Sequence, residues 1–316
     1  MQCTINFIGN PLKLYSPGET VEIIVELNVT EGYHVDEIYL KIFGQACCHF
    51  LSRNDEKTLT GCVTYIDKKI SLLNLTEIQA GLNTFEANFQ IPLYIPSSME
   101  SINGYYRKAT GSIKYKVEVH VDSNWKPNMK FESPFTILSP TDLNELSQVI
   151  NVPLIHEVFK NFTLDFSTKE LYMSASIPRR GYAPGDKIFV TINVHNLTRT
   201  KVKSIRVSLN KIIVLTSQKP LVEVVRIKIV ESLEYCDKVK PQAHRIFTKN
   251  IRVPAVEPNI DNCEVIKVAY ELCVKAKFSG IHRSVLLNLP ILIGTTRLRD
   301  EVAMRKYSYS SFETDI

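Results

Sequence analysis

The chain has 316 residues, enough for one large domain or two of about 150, and 44% of them are hydrophobic and 22% charged. That is a folded globular composition with no low-complexity tract, and the formal charge is +5. Two classes are set aside at once. "MQCTINFIGN" lacks the basic and apolar regions of a secretory signal, and the late apolar run "SVLLNLPILIGTT" is broken by Asn288 and Pro290, short of the roughly 20 residues a spanning helix needs. The expectation is a soluble intracellular protein.

In chain order, the first structured signal is "YSPGET", Tyr15 to Thr20. Pro at the second and Gly at the third turn position suit a type II turn, since Pro presets φ and Gly accepts φ > 0. Behind it Val21, Ile23, Val25, Leu27 and Val29 alternate with Glu22, Glu26 and Asn28, the pattern of an antiparallel strand buried on one side. "EIYLKIFGQ" repeats that alternation through Ile38, Leu40 and Ile42, and "IKYKVEVHV" through Ile113, Tyr115, Val117, Val119 and Val121. The only helix-like stretch is "PTDLNELSQVI", where Thr141 or Asp142 is expected to cap a short turn with Glu145 behind it.

A second turn, "YAPGDK" at Tyr182 to Lys187, precedes Ile188, Val190, Ile192 and Val194, with Lys187, Thr191, Asn193 and His195 opposite. "VEVVRIKIV" sets Val225, Ile227 and Ile229 against Arg226 and Lys228, with the basic pair expected outward. "IKVAYELCVKAKF" carries Ile266, Val268, Tyr270, Leu272 and Val274 on one face. The first turn matches the second at an offset of 167, "NFQIPLYIP" matches "NIRVPAVEP" at 162, and "YKVEV" matches "YELCV" at 155. Three echoes in one order with a shrinking offset indicate a duplication with shorter loops in the second copy. Short strands between turns, used twice, predict an all-β chain of two tandem sandwiches. They are placed at 1–140 and 163–300, joined by a polar connector over 141–162 and followed by a short flexible tail at 301–316.

The charge is unevenly placed. Residues 1–140 hold 12 basic against 15 acidic residues, whereas 141–300 hold 24 against 15. A basic second half suits an acidic partner such as a membrane surface or a phosphorylated peptide. The candidate residues are Lys201, Lys203, Arg206, Lys211, Arg226 and Lys228, because charge-assisted bonds to phosphate or carboxylate are strong. Solvated strand faces explain the same residues without a ligand. Aromatic residues are not interleaved with the set, so nucleic acid is not expected.

The seven cysteines include no C-x-x-C spacing and suggest neither a disulfide framework nor structural zinc. Cys47-Cys48-His49 is read as a strand end whose two sulfurs point to opposite faces. Four sequons, at Asn28, Asn74, Asn161 and Asn196, are expected to stay unmodified. His156-Glu157 has no second ligand at metal spacing. No nucleophile elbow, phosphate loop, dinucleotide fingerprint or H-E-x-x-H is present, so neither an enzyme nor a cofactor is expected.

The ordered set "YSPGETVEIIVELNV", "IPLYIPSS", "GSIKYKVEVHVDSNW", "DLNELSQVINVP", "GYAPGDKIFVTINVHN", "IRVPAVEP", "VIKVAYELCVKA" and "LPILIGTTRL" resembles the arrestin-domain-containing proteins (α-arrestins) over roughly residues 5–298. The resemblance implies an arrestin fold, two immunoglobulin-like sandwiches joined by a short hinge. It also implies a cytosolic adaptor that binds cytoplasmic parts of membrane proteins, at the plasma membrane or endosomes, in trafficking or signal regulation. Phosphorylated cargo tails or acidic lipid headgroups then become natural ligands for the basic set. The different-class alternative is a stable coat subunit like the arrestin-like subunit of retromer. One departure stands out: the sequence has no Pro-Pro pair, so ubiquitin-ligase recruitment through Pro-Pro-x-Tyr motifs is not expected. At the end, Thr314-Asp315-Ile316 resembles a PDZ-domain ligand, with hydroxyl at Thr314 and apolar carboxylate at Ile316. Tyr309 to Phe312, "YSSF", resembles a sorting signal for endocytic adaptor proteins. A tail with no binding role is the alternative.

Overall fold

A computed structural model describes residues 1–52, 57–103, 108–124, 126–162, 170–235 and 238–298. Eighteen strands and one helical turn occur among them. Two compact units result: Met1–Ser139 with Val214–Val224 and Ile260–Lys267, and Pro140–Ile213 with Val225–Asn259 and Val268–Ile316. No helix among the described residues is long and apolar enough to cross a membrane.

The first unit has strands β1 (Gln2–Phe7), β2 (Leu14–Tyr15), β3 (Thr20–Val29), β4 (Tyr33–Leu51), β5 (Thr58–Ile78), β6 (Gly81–Gln90), β7 (Met99–Asn103), β8 (Thr110–Asp122) and β9 (Met129–Ile137). They form a three-stranded sheet β1-β3-β6 and a six-stranded sheet β2-β9-β8-β4-β5, with β7 beside β8. Alternation explains the layering. Val21, Ile23, Val25 and Leu27 on β3 are fully buried, as are Ile38, Leu40 and Ile42 on β4 and Val117 and Val119 on β8. Each such side chain contributes about 1.5–3 kcal/mol on leaving water. Phe135 on β9 joins Phe7, Tyr15, Phe89 and Tyr115 in one aromatic cluster, with centroids 6.0–6.1 Å from its own.

The second unit begins with the one-turn helix α1 (Ser147–Ile150). It continues with β10 (Leu154–Lys160), β11 (Leu171–Ile177), β12 (Gly181–Tyr182), β13 (Lys187–Asn196), β14 (Val202–Gln218), β15 (Leu221–Tyr235), β16 (Ala243–Arg252), β17 (Ile266–Phe278) and β18 (Val285–Ile293), with the end of β14, the start of β15 and the first two residues of β17 counted in the first unit. Its sheets are β10-β11-β13-β16 and β12-β18-β17-β14-β15.

The echoes in the sequence occupy equivalent places in the two units. Tyr15 lies on β2, parallel to β9, and Tyr182 on β12, parallel to β18. Gly18 has φ +85° and Gly185 φ +90°, the left-handed region that favours glycine. The Gly18 amide donates to Ile91 O and the Gly185 amide to Val253 O. Tyr115 OH donates to Pro96 O and Tyr270 OH to Glu257 O, both at 2.7 Å. The acidic residue of each turn also has a shared duty: Ser16 N donates to Glu19 Oε2 at 2.9 Å, and Ala183 N to Asp186 Oδ2 at 3.0 Å. Asp186 further meets Arg179 at 3.2 Å and Arg297 at 3.3 Å. Replacing Asp186 by alanine leaves that amide and Arg179 without their acceptor. The expected loss is about 1.5–3 kcal/mol, to be read by urea denaturation, with Asp186→Glu recovering part of it.

Three local expectations are corrected. The connector is more structured than its composition suggests, since Leu154–Lys160 pair along β11 as an edge strand. It is also packed: Leu143 and Ile150 bury against Ala183, and Gly181 and Gly294 are where a Cβ would meet Ile150 or Leu143 side-chain atoms at 2.4–2.5 Å. Neither Thr141 nor Asp142 caps the helix. Leu146 holds that position without a side-chain bond, while Asp142 Oδ1 accepts from Asn144 N at 2.9 Å in a local turn. Cys47 and Cys62 form a disulfide, because the β4–β5 register sets them directly opposite. The two neighbours Cys47 and Cys48 do face opposite ways, but the partner strand supplies a sulfur that adjacency could not reveal.

Candidate functional site

The basic residues singled out in the second half do not converge. Lys203 and Lys211 lie on β14 and are separated by about 26 Å at 3.3 Å per residue. Lys211 is buried, with Nζ 2.9 Å from Glu257. Desolvation opposes the charge on Glu257, but Lys211 and the more distant Lys228 hold its pKa below the usual range. Lys203 and Lys228 are exposed, whereas Lys201 and Arg206 are half-buried. The side chain of Arg226 lies outside the described residues, as do Tyr309, Phe312, Thr314 and Ile316 of the tail. On β15 the expected orientation fails, for Val225, Ile227 and Ile229 are all exposed. An edge strand has a neighbour on one side only, so alternation there does not guarantee that its apolar face is covered.

A more organised surface lies on the first unit, on the outward face of the six-stranded sheet. Register assembles it in rows. Lys130 of β9, His120 of β8, Tyr39 of β4 and Ser71 of β5 form one, and Glu132, Glu118, Lys41 and Lys69 the next. Glu118, only 7% exposed at its side chain, receives Lys116 and Lys130 at 2.8 Å and His120 at 2.9 Å. Lys116 also holds Glu132 at 2.8 Å. Desolvation alone would raise the Glu118 pKa, but these three donors outweigh it and bring it down to about 2. His120 stacks on Tyr39 at 4.7 Å with an interplanar angle of 4°, and Lys69 Nζ sits 4.0 Å above the Tyr39 ring.

Beside this network runs a groove of about 600 Å³ whose outward lining includes Phe43, Gln45, Cys47, Lys114, Lys116 and Pro134. Cross-strand bonds lock Lys116 in place, while Lys114 is exposed. Such a groove offers an extended chain apolar contact and the exposed Lys114, while Glu100 and Glu132 in the same lining balance its two lysines. Sequence reading could see Lys114, Lys116, Glu118 and His120 on one face of β8. It could not see which strands would bring Phe43, Lys130 and Glu132 beside them.

The sequence of both units matches one family. Residues 3–144 match the model of the arrestin (or S-antigen) N-terminal domain, and residues 167–298 match that of the C-terminal domain. The chain belongs to the arrestin-domain-containing proteins. It is similar to arrestin domain-containing protein 1 of Rattus norvegicus, with 23% identity over 284 residues that make up 89% of this chain and 61% of the relative. It is also similar to arrestin domain-containing protein 4 of Homo sapiens, with 24% identity over 299 residues, 89% of this chain and 68% of the relative. The arrestin-domain chain therefore spans about three fifths to two thirds of the length of these relatives. Both matched models fall on strand-rich units.

Proposed function

We propose that this arrestin-domain protein is a non-enzymatic adaptor that binds cytoplasmic segments of membrane proteins and acts in endocytic trafficking, transport or signal regulation. The observation that carries this reading is the match of both arrestin domain models, in order, to the two sandwich units. The groove beside Phe43 and Lys114 supports it with an apolar surface that an extended segment can occupy beside an exposed lysine. In this reading the chain works in the cytoplasm and associates peripherally with the plasma membrane or endosomes. The tail residues Thr314 and Ile316 serve a PDZ domain, and Tyr309 and Phe312 an endocytic adaptor. Lys201, Lys203 and Lys228 contribute attraction toward acidic lipid or phosphorylated tails, with Arg206 and Arg226 as further members of that set and Lys211, buried against Glu257, as an internal pair beside it.

Proximity labelling in cells, with the full chain and with one lacking Glu313–Ile316, tests these points together. The adaptor reading expects membrane proteins among the neighbours. One constant soluble complex without membrane cargo overturns it in favour of a coat subunit. Loss of PDZ-containing neighbours on truncation is expected, and an unchanged set removes the PDZ assignment. Lys114→Glu is expected to reduce cargo labelling several-fold with no change in the unfolding midpoint, since that side chain is exposed and a reversed charge repels an acidic segment.

A further inference from the structure

β15 has two properties rarely found together on one strand. It is the end strand of its sheet, and among the described residues nothing pairs with its outer edge. Its odd-numbered side chains form an exposed apolar row, with Val225 at 51%, Ile227 at 61% and Ile229 at 53%. Thr216 Oγ1 of β14 contacts Glu223 Oε1 at 3.5 Å, which sets the even-numbered side chains of β14 and the odd-numbered ones of β15 on one face. That face continues through Asn210, which donates to Glu271 of β17 at 3.1 Å, so its polar groups already have partners. The apolar row has no such cover. A long, exposed, apolar edge strand is what sheet proteins ordinarily blunt, and an unpaired row of N–H and C=O groups selects an extended chain as its complement.

The charge pattern narrows the occupant. A second copy pairing β15 with β15 about Ile227 would set Glu223 opposite Glu231. Centred on Lys228, the pair would place that lysine against itself, and centred on Ile229 it would oppose Ile227 with Glu231. Like charges directly opposite one another destabilise a strand pair, so the registers centred on Ile227 and Lys228 are penalised, and the one centred on Ile229 leaves an apolar side chain against a carboxylate. Lys228, by contrast, is exposed in mid-strand, while Glu257, the carboxylate near it, is already bonded to Lys211.

The geometry points to β15 as a docking edge that takes an extended peptide segment, added as a strand, in which apolar residues alternate with acidic ones. Apolar side chains of the segment cover Val225, Ile227 and Ile229, and an acidic one faces Lys228. The inference rests on the adaptor reading for the source of the segment, but its chemistry is set by the strand alone.

The test uses the full chain and a fluorescent 11-residue peptide alternating valine and glutamate, with a valine–lysine peptide of equal length as control. Anisotropy is expected to show saturable binding of the glutamate peptide and at least tenfold weaker binding of the control. Ile227→Lys is expected to weaken the glutamate peptide at least tenfold, and Lys228→Glu to reverse the preference between the two peptides. Circular dichroism melts of both variants exclude simple unfolding, and the reversal by Lys228→Glu cannot arise from it. Equal binding of both peptides, or no binding, overturns the inference. So does a dimer in sedimentation that Ile227→Lys abolishes, which assigns the edge to a second copy. Flotation with phosphatidylserine vesicles that Ile227→Lys abolishes also overturns it, assigning the edge to a membrane. Cargo labelling that persists in Ile227→Lys cells sinks this docking edge and leaves the adaptor reading intact. Peptide binding without any membrane cargo does the reverse.

Discussion

Alanine at position 44 is expected to destabilise the first unit by about 3–5 kcal/mol, the cost of overpacking combined with a broken buried hydrogen bond. Gly44 lies buried on β4 across from β8, and a Cβ there would stand 2.4 Å from Tyr115 Cδ1 and 2.6 Å from its Cε1. The ring has nowhere to retreat. Tyr115 is almost fully buried, packs against Phe135 at 6.0 Å, and is fixed at its far end by the hydrogen bond to Pro96 O. Hydrogen exchange should show the loss as faster exchange along β4 and β8. Tyr115→Phe, which removes only the hydroxyl, is expected to cost about 1–2 kcal/mol. Combining Gly44→Ala with Tyr115→Leu is expected to recover part of the alanine penalty. Additive losses in the double variant would show that the ring is not the obstruction.

Acid is expected to remove a stabilising contribution held at Glu118. Its pKa is lowered from the usual 4.5 to about 2, so the folded state holds the carboxylate ionised where the unfolded chain would already take up a proton. The stabilisation is fully present above the unfolded value. It is lost as pH falls from about 4.5 toward 2, and amounts to about 3 kcal/mol when complete. Glu118→Gln removes the charge at all pH values and leaves Lys116, Lys130 and His120 crowded around a neutral amide. The variant is expected to lose about 3 kcal/mol at pH 7. Its stability should also vary less than wild type between pH 5 and 2. A wild-type stability unchanged over that interval would mean that Lys116, Lys130 and His120 do not act on Glu118 as their distances imply.

The sequence read most clearly where one residue's neighbours are set by its own strand. The turns at Pro17-Gly18 and Pro184-Gly185, the buried faces of β3, β8 and β17, and the duplication itself follow from local periodicity, and the structure bears them out. Register between distant strands is another matter. Cys62 faces Cys47 only because β4 and β5 pair with register shifts near Ile38 and Gly44, and Lys130 reaches Glu118 only because β8 and β9 pair in one alignment. Alternation carries no information about that alignment. On β15 the pattern gave the two faces and not their burial, because burial depends on having a second neighbour. The connector's composition hid a strand for a related reason: β10 is an edge strand, with Ile155 and Phe159 left exposed, and it lacks the continuous apolar face that marks a buried one. The six basic residues of the second half share a sign, but five of them sit on two strands and Lys201 just before the first, at separations that sequence clustering could not convey.

The second unit's opening turn touches its own end. β12 lies parallel beside β18, and Asp186, just after β12, reaches Arg297, which follows β18. The chain's entry at Thr141 also bonds Thr295 after β18, so entry and exit are neighbours, and the unit is closed in the manner of a belt whose buckle includes the Tyr-Ala-Pro-Gly-Asp turn. Belts of this kind tolerate being cut elsewhere, since new termini at an exposed loop leave every strand with its partner. A circular permutant of this unit, with old ends joined near Arg297 and new ones opened at the exposed Gly280–Ile281 turn, should keep the same two sheets. The turn that marks the start of the copy would then lie in the middle of the chain, in the same place in space.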